Sequence, residues 1–253
     1  MLFSRIFLLL ASVGVLFSCT QNASPETKTP DQAQKVVDLA IEAHGGETYQ
    51  NSRYRFDFRG KSYSWYLAGG QYHYTRTFQD SLGLIEDHLS NEGFVRTLDG
   101  DRIPITHEQD SMYSNSVNSV FYFALLPYGL NAPAVKKRYL GEESIKGKAY
   151  DKIEVRFAEE GGGKDFEDVY VYWFGQEDHR LDYLAYSYLT DGGGLRFRKA
   201  YNSRMVGKIR FQDYVNYKAE VIPGRTPDQL AAMYEAGQLD SLSSIINENI
   251  QLQ

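Results

Sequence analysis

The chain has 253 residues, with 27 Lys+Arg against 33 Asp+Glu, a formal net charge of −6, one Cys and 20 Tyr. That length allows one large domain or two small ones and can bury a core without disulfides. The 42% hydrophobic content excludes a wholly disordered chain, and the acidic balance argues against a nucleic-acid partner, which requires a basic footprint. The Tyr excess favours strands, where aromatic side chains fit, each contributing an apolar ring with a polar tip.

The N-terminus points to a compartment. Residues 1–18 read as a signal peptide: Arg5 is the positive n-region, and Ile6 to Phe17 is an apolar run, too short for a membrane-spanning helix of about 20 residues. Leu16-Phe17-Ser18-Cys19 resembles the bacterial lipobox, whose Cys receives diacylglycerol as the preceding peptide is removed; Phe17 is bulkier than that pattern usually has. Cys19 has no second Cys to pair with, so an internal disulfide does not explain it; the alternative is a free Cys cut off with an ordinary signal peptide. Acyl chains on Cys19 would anchor the protein, each buried CH₂ contributing about 0.8 kcal/mol. Residues 20–30 are polar, contain Pro and lack periodicity, and read as a flexible tether. Residues 31–253 are then expected to form a single domain. The location implied is a bacterial cell envelope, with the outer membrane preferred over the inner because Thr20 after Cys19 offers no acidic retention signal.

A helix should follow. Thr29-Pro30-Asp31-Gln32 offers an N-cap Thr with Pro at the first helical position and Gln at the capping-box position. Val36, Val37, Ala40, Ile41 and His44 recur at helical spacing, and Gly45-Gly46 ends the run. Thr226-Pro227-Asp228-Gln229 repeats the signal before a C-terminal helix with Leu230, Met233 and Tyr234 as its apolar stripe. Between the two helices the period is two. Tyr54, Phe56 and Phe58 alternate with Arg53, Arg55, Asp57 and Arg59. Tyr63, Trp65 and Leu67 continue the sheet, and Gly69-Gly70 turns it into Tyr72, Tyr74 and Phe78. Asp99-Gly100-Asp101 marks a hairpin between Phe94–Leu98 and Ile103–Ile105. Val120–Leu130 is apolar throughout and reads as a short buried helix or lid. Further strands follow at Ile153–Phe157, Val169–Phe174, Tyr183–Leu189, Leu195–Phe197 and Ile209–Tyr217. The expectation is a mainly β (α+β) protein: a curved antiparallel meander of nine or ten strands forming an open half-barrel, with N-terminal, mid-chain and C-terminal helices over its concave face.

Several of these segments together resemble the LolA/LolB-like periplasmic lipoprotein-carrier fold, and in particular its uncharacterised Bacteroidetes-type lipoproteins. They are Ala40–Gly46 closing the first helix, the Phe56/Phe58 strand, Leu125–Leu130, Val171-Tyr172-Trp173-Phe174 with Asp178, and Arg210–Tyr214. The resemblance implies a half-barrel with a helical lid over an apolar cavity. Fold likeness alone does not fix function.

Chemistry-bearing motifs are sparse. The five His lack the three-to-five-residue spacing of metal ligands, and Cys is unavailable. There is no Gly-x-Ser-x-Gly elbow, and Gly161–Gly163 before Lys164 lacks the ending of a phosphate loop. His44 is read as a structural residue at a helix C-terminus, interacting with the dipole. No metal, cofactor or catalytic residue is expected. The informative residues are aromatic: Tyr63, Trp65, Tyr72, Tyr74, Phe78, Tyr170, Tyr172, Trp173, Tyr186 and Tyr188 are the candidate cavity wall, and Phe121, Phe123, Leu125 and Leu126 the candidate lid. The alternative for each is filled core.

Three readings follow. The first is a membrane-anchored envelope lipoprotein that takes a hydrophobic ligand, a lipid or lipoprotein acyl chain, in the half-barrel cavity. The second is a glycan- or partner-binding lipoprotein, in which Trp65 and Trp173 stack on sugar rings. The third is an enzyme, which needs three His/Asp/Glu residues brought together at the cavity mouth.

Overall fold

The computed structural model describes residues 31–160 and 166–253, which belong to the compact unit Asp31–Gln253. Residues 1–30, which carry the expected signal peptide, Cys19 and tether, and Gly161–Gly163 with Lys164 lie outside the described residues.

Helix α1 (Gln32–His44) is capped by Asp31, whose side chain accepts the Gln34 N–H at 2.9 Å. The cap is therefore the Asp of the Thr-Pro-Asp-Gln run rather than its Thr. A side-chain oxygen aimed at free N–H groups is what the first turn needs. The helix buries Ala33, Val36, Val37 and Ala40. It ends at Gly45, whose φ of 146° and close approach to Lys208 O and Ile209, both 3.2 Å from a Cβ placed there, leave no room for a side chain.

The first sheet is a meander of β1 (Asn51–Phe58), β2 (Lys61–Ala68), β3 (Gln71–Gln79), β4 (Leu84–Ser90), β5 (Gly93–Leu98) and the two-residue β6 (Asp101–Arg102). Alternation is clean in β1, where Tyr54 and Phe56 are buried and Arg53 and Arg55 exposed. Helix α2 (His107–Ala124) follows, opened by a capping box: Gln109 N–H donates to Thr106 Oγ1 at 3.2 Å, and Gln109 Oε1 accepts the Thr106 N–H at 2.9 Å. It starts well before the apolar run that signals it in the sequence, because its opening turns are polar. The Asp99-Gly100 turn forms as expected, but Ile103–Ile105 is no strand and runs directly into this cap.

The second sheet comprises β7 (Val135–Ile145), β8 (Lys148–Phe157), β9 (Val169–Gly175), β10 (Leu181–Tyr188), β11 (Gly194–Val206), β12 (Ile209–Ala219) and β13 (Asp240–Ile245). The last strand, β14 (Glu248–Leu252), crosses back to pair with β1. The C-terminal pair β13 and β14 thus ties the two seven-stranded antiparallel sheets together. Asp213 secures this corner: its buried carboxylate accepts the Asn247 N–H at 3.0 Å and pairs with Arg204 at 3.2 Å. The described residues contain no pairing between β6 and β7, so the architecture is mainly β and open, a half-barrel.

Helices α1 and α2 pack on one face of the second sheet, over Ile153, Tyr172, Phe174 and Leu184. Helix α3 (Leu230–Glu235) differs from the expectation. It covers the opposite face, against Trp173, Tyr183, Leu195 and Phe197. The reason is the aromatic content of β9 and β10 on both sides: Trp173 and Tyr172 point opposite ways, so each face needs its own apolar cover. Its entry uses the expected cap, Thr226 with Gln229 and Pro227 at the first position.

Candidate functional site

Helix α2 is the wall between two clefts. At 3.6 residues per turn, Ser116, Ser119, Val120 and Phe123 share one side and Asn118, Phe121, Tyr122 and Leu125 the other. Each set lines a different cleft.

Two attachments fix the helix to the first sheet. Phe121 is fully buried and stacks on Tyr74, centroids 4.2 Å apart, with Phe56 edge-on at 5.9 Å. Below it lies a buried ionic triad. Asp87, with no exposed surface, receives Arg76 at 2.6 Å and Arg96 at 2.6 Å. Arg76 Nη1 also donates to Ser116 of α2 at 2.8 Å, and Arg96 sits 3.4 Å over the Tyr113 ring.

The first cleft, of about 660 Å³, lies between the β2–β3 hairpin and the C-terminal half of α2, with Phe157 contributed by the second sheet. None of the described residues that line it carries a charge. Its wall includes Leu67, Tyr72, Tyr74, Leu125 and Tyr128. Burial raises the hydroxyl pKa of Tyr72, Tyr74 and Tyr128 above the ordinary phenol value, so all three are neutral donors. Tyr128 is held by stacking on Tyr49 at 4.8 Å.

The second cleft, of about 390 Å³, lies between the β1–β2 turn, α2 and strands β9–β11. Among the described residues, Arg59, Arg196 and Arg198 line it against the carboxylate of Asp168. Arg198 Nη2 donates to Tyr186 Oη at 2.9 Å, and its guanidinium lies 3.8 Å from the Phe123 ring centroid. Arg196 donates to Tyr188 Oη. Tyr214 at the base is pushed up to about 12 by burial.

The aromatic candidates therefore separate. Tyr72, Tyr74, Phe121 and Leu125 line the neutral cleft, and Tyr170, Tyr186, Tyr188 and Phe123 the cationic one. The others line neither. Tyr63 and Trp65 are core residues of the first sheet, with Trp65 stacked on Tyr54 at 5.0 Å and donating to Ser52 at 2.9 Å. Tyr172 is buried with its hydroxyl bonded to that of Tyr122. Trp173 faces α3 and donates to Glu143 at 2.7 Å. Leu126 packs in the α1 core, and half-buried Phe78 carries Lys61 Nζ 4.0 Å from its centroid. Trp65 and Trp173 thus offer no surface for stacking on a sugar ring.

Sequence reading passed over Arg196 and Arg198. They alternate with Leu195 and Phe197, the pattern of a solvated strand face, but this sheet is covered on both sides. His73 and His88, fifteen residues apart in sequence, meet on adjacent strands at 3.2 Å. Among the described residues no group of three His, Cys, Asp or Glu could hold a metal ion, and no His lines either cleft. His44 is buried and neutral, its Nδ1 2.8 Å from Ala40 O. Burial lowers its pKa to about 4, so its contribution is a neutral hydrogen bond and not a charge on the helix dipole. No helix of the described residues is long and apolar enough to cross a membrane.

No curated protein matches the chain. Solved structures similar to it include a LolA superfamily protein from Nitrosomonas europaea, 13% identical, covering 87% of this chain and 93% of that one, with a TM-score of 0.49. A DUF1329 family protein from Desulfovibrio piger is 12% identical over 88% of this chain and 94% of that one, TM-score 0.44. A protein domain from Vibrio parahaemolyticus, named for outer membrane lipoprotein sorting, is 9% identical over 87% and 93%, TM-score 0.38. The model of DUF6503, described as a family of unknown function, matches residues 5–247, and the chain belongs to that family.

Proposed function

We infer that this protein is a cell-envelope lipoprotein, anchored through lipid on Cys19, that binds a hydrophobic ligand such as a lipid or acyl chain in the neutral cleft. The observation carrying this reading is that cleft's combination of volume, about 660 Å³, and a lining free of charge. Ligand sites typically occupy about 300–1,000 Å³ and are mostly apolar with a few placed polar groups; here those groups are the neutral Tyr72, Tyr74 and Tyr128 hydroxyls and the Gln50, Asn51, Gln71 and Asn118 amides. Each buried CH₂ contributes about 0.8 kcal/mol, so ten would supply about 8 kcal/mol before association costs. Micromolar or weaker affinity is the corresponding range.

The test is equilibrium titration with a neutral fluorescent long-chain alcohol. Wild type should saturate. Ala132→Trp, which puts a ring into the cleft rim, and Tyr72→Asp, which puts a charge into its wall, should each weaken binding by about tenfold or more. Undiminished binding in both variants would remove the neutral cleft as the site. The anchor is tested separately, by mass measurement of the mature N-terminus for acyl groups on Cys19.

A further inference from the structure

We propose that the cationic cleft is an oxyanion site, taking a phosphate, sulfate or carboxylate group between Arg198, Arg196 and Arg59. The proposal stands whether or not the neutral cleft holds an apolar ligand, because opposite sides of α2 line the two.

Arg198 is the central donor of this cleft. It is 8% exposed, on β11, and lines the cleft. A guanidinium has five donors and cannot deprotonate, so a buried one calls for acceptors. The acceptor Arg198 does have is a neutral hydroxyl, Tyr186 Oη. Its Nε is buried without a hydrogen-bond partner. No carboxylate among the described residues lies within ion-pair distance of Arg198, Arg196 or Arg59. Asp168, the cleft's carboxylate, is already engaged, accepting the Tyr170 hydroxyl at 3.3 Å.

The contrast with the triad beyond α2 shows what is missing. There Arg76 and Arg96 are buried to a similar degree, and both close on Asp87 at 2.6 Å. In that triad the buried Arg pair is neutralised by carboxylate. In the cationic cleft Arg59, Arg196 and Arg198 line the space beside Asp168 but none of them is ion-paired with it, in a molecule whose net charge is −6. An anion from outside completes the set, with Arg forks giving paired N–H donors to its oxygens. The hydroxyls of Ser116, Ser119 and Tyr188 line the same space as additional donors. Phe123 and Val120 give it an apolar flank, which fits an anion attached to an organic group.

Calorimetric titration of the full chain in neutral-detergent micelles tests this, with hexyl phosphate, hexanol and inorganic phosphate as probes. Hexyl phosphate should bind at least about tenfold more tightly than hexanol, and the preference should shrink as salt rises. Arg198→Met should abolish the preference, and Arg198→Lys should restore part of it. Arg196→Met, at a half-buried position, should lower it several-fold and serves where Arg198→Met melts early. If inorganic phosphate binds as well as hexyl phosphate, the ligand is a free anion; if hexyl phosphate alone binds, the anion is an amphiphile's head group. Equal binding of hexyl phosphate and hexanol to wild type would overturn the proposal, as would a preference that survives the Arg196→Met/Arg198→Met double variant. Loss of neutral long-chain alcohol binding through Ala132→Trp, with the phosphate preference intact, would separate this site from the neutral cleft.

Discussion

On one side, α2 offers Phe121, Tyr122 and Leu125 to a cleft with no charged lining; on the other, it offers Ser116, Ser119 and Phe123 to a cleft with three Arg. The helix contributes no charge to either lining. The difference comes from the strands opposite: the β2–β3 hairpin brings Leu67, Tyr72 and Tyr74, while β11 brings Arg196 and Arg198. The polarity of a site in this fold is thus set by which strand residues face the helix. Two ligand chemistries can sit beside one helix because the helical period keeps its faces apart.

The comparison can be broken most severely by freeing α2. Asp87→Ala leaves Arg76 and Arg96 buried without their carboxylate and should destabilise by about 3–5 kcal/mol; denaturant unfolding measures it, and a change below 1 kcal/mol would mean the triad does not hold the helix. Trp65→Ala should cost a similar amount, about 3–5 kcal/mol, because the ring is core. Stability, not ligand affinity, is the property it should change first.

Acid should act through α1 and leave the clefts' lining uncharged by His. Buried His44, with Arg210 nearby adding to the effect, has its pKa lowered to about 4. Below about 6.5 the unfolded chain takes a proton on this residue that the folded chain refuses. The stabilising effect is therefore complete above pH 6.5 and is lost as pH falls toward 4, by up to about 3 kcal/mol. His44→Gln should flatten that part of the stability–pH curve; an unchanged curve would assign the slope to other groups. The smallest expected effect is at the start of α2, where Thr106→Ala removes one half of the capping box and should cost about 1 kcal/mol in thermal unfolding.

Much of this arrangement is legible in the sequence. Period-two aromatics place β1 to β3 and β8 to β12, Gly69-Gly70 and Asp99-Gly100 place their turns, and the Thr226 cap is read correctly. The remainder escapes for identifiable reasons. Helix α2 opens with polar turns, so only its apolar end announces it. Strands β13 and β14 are short, polar and largely exposed, with no apolar alternation to detect. Edge strand β7 carries Lys136, Lys137 and Arg138, charges suited to an unpaired edge. At the site, aromatic residues could be counted, but their depth could not. Tyr63, Trp65 and Trp173 look the same in sequence as Tyr72 and Tyr186, and only the packing of α2 and α3 divides core from cleft. Arg196 and Arg198 have the pattern of a solvent face because alternation shows that two faces differ, without showing whether each is covered.

The central claim is that an apolar ligand occupies the neutral cleft. Photo-crosslinking with a neutral long-chain alcohol carrying a diazirine tests it most directly, with labelled peptides mapped by mass spectrometry. The account predicts labels on residues 67–74 and 121–132, lost in Ala132→Trp. Labels confined to the Arg196–Arg198 cleft or the α3 face, or labelling unaffected by Ala132→Trp, would contradict it.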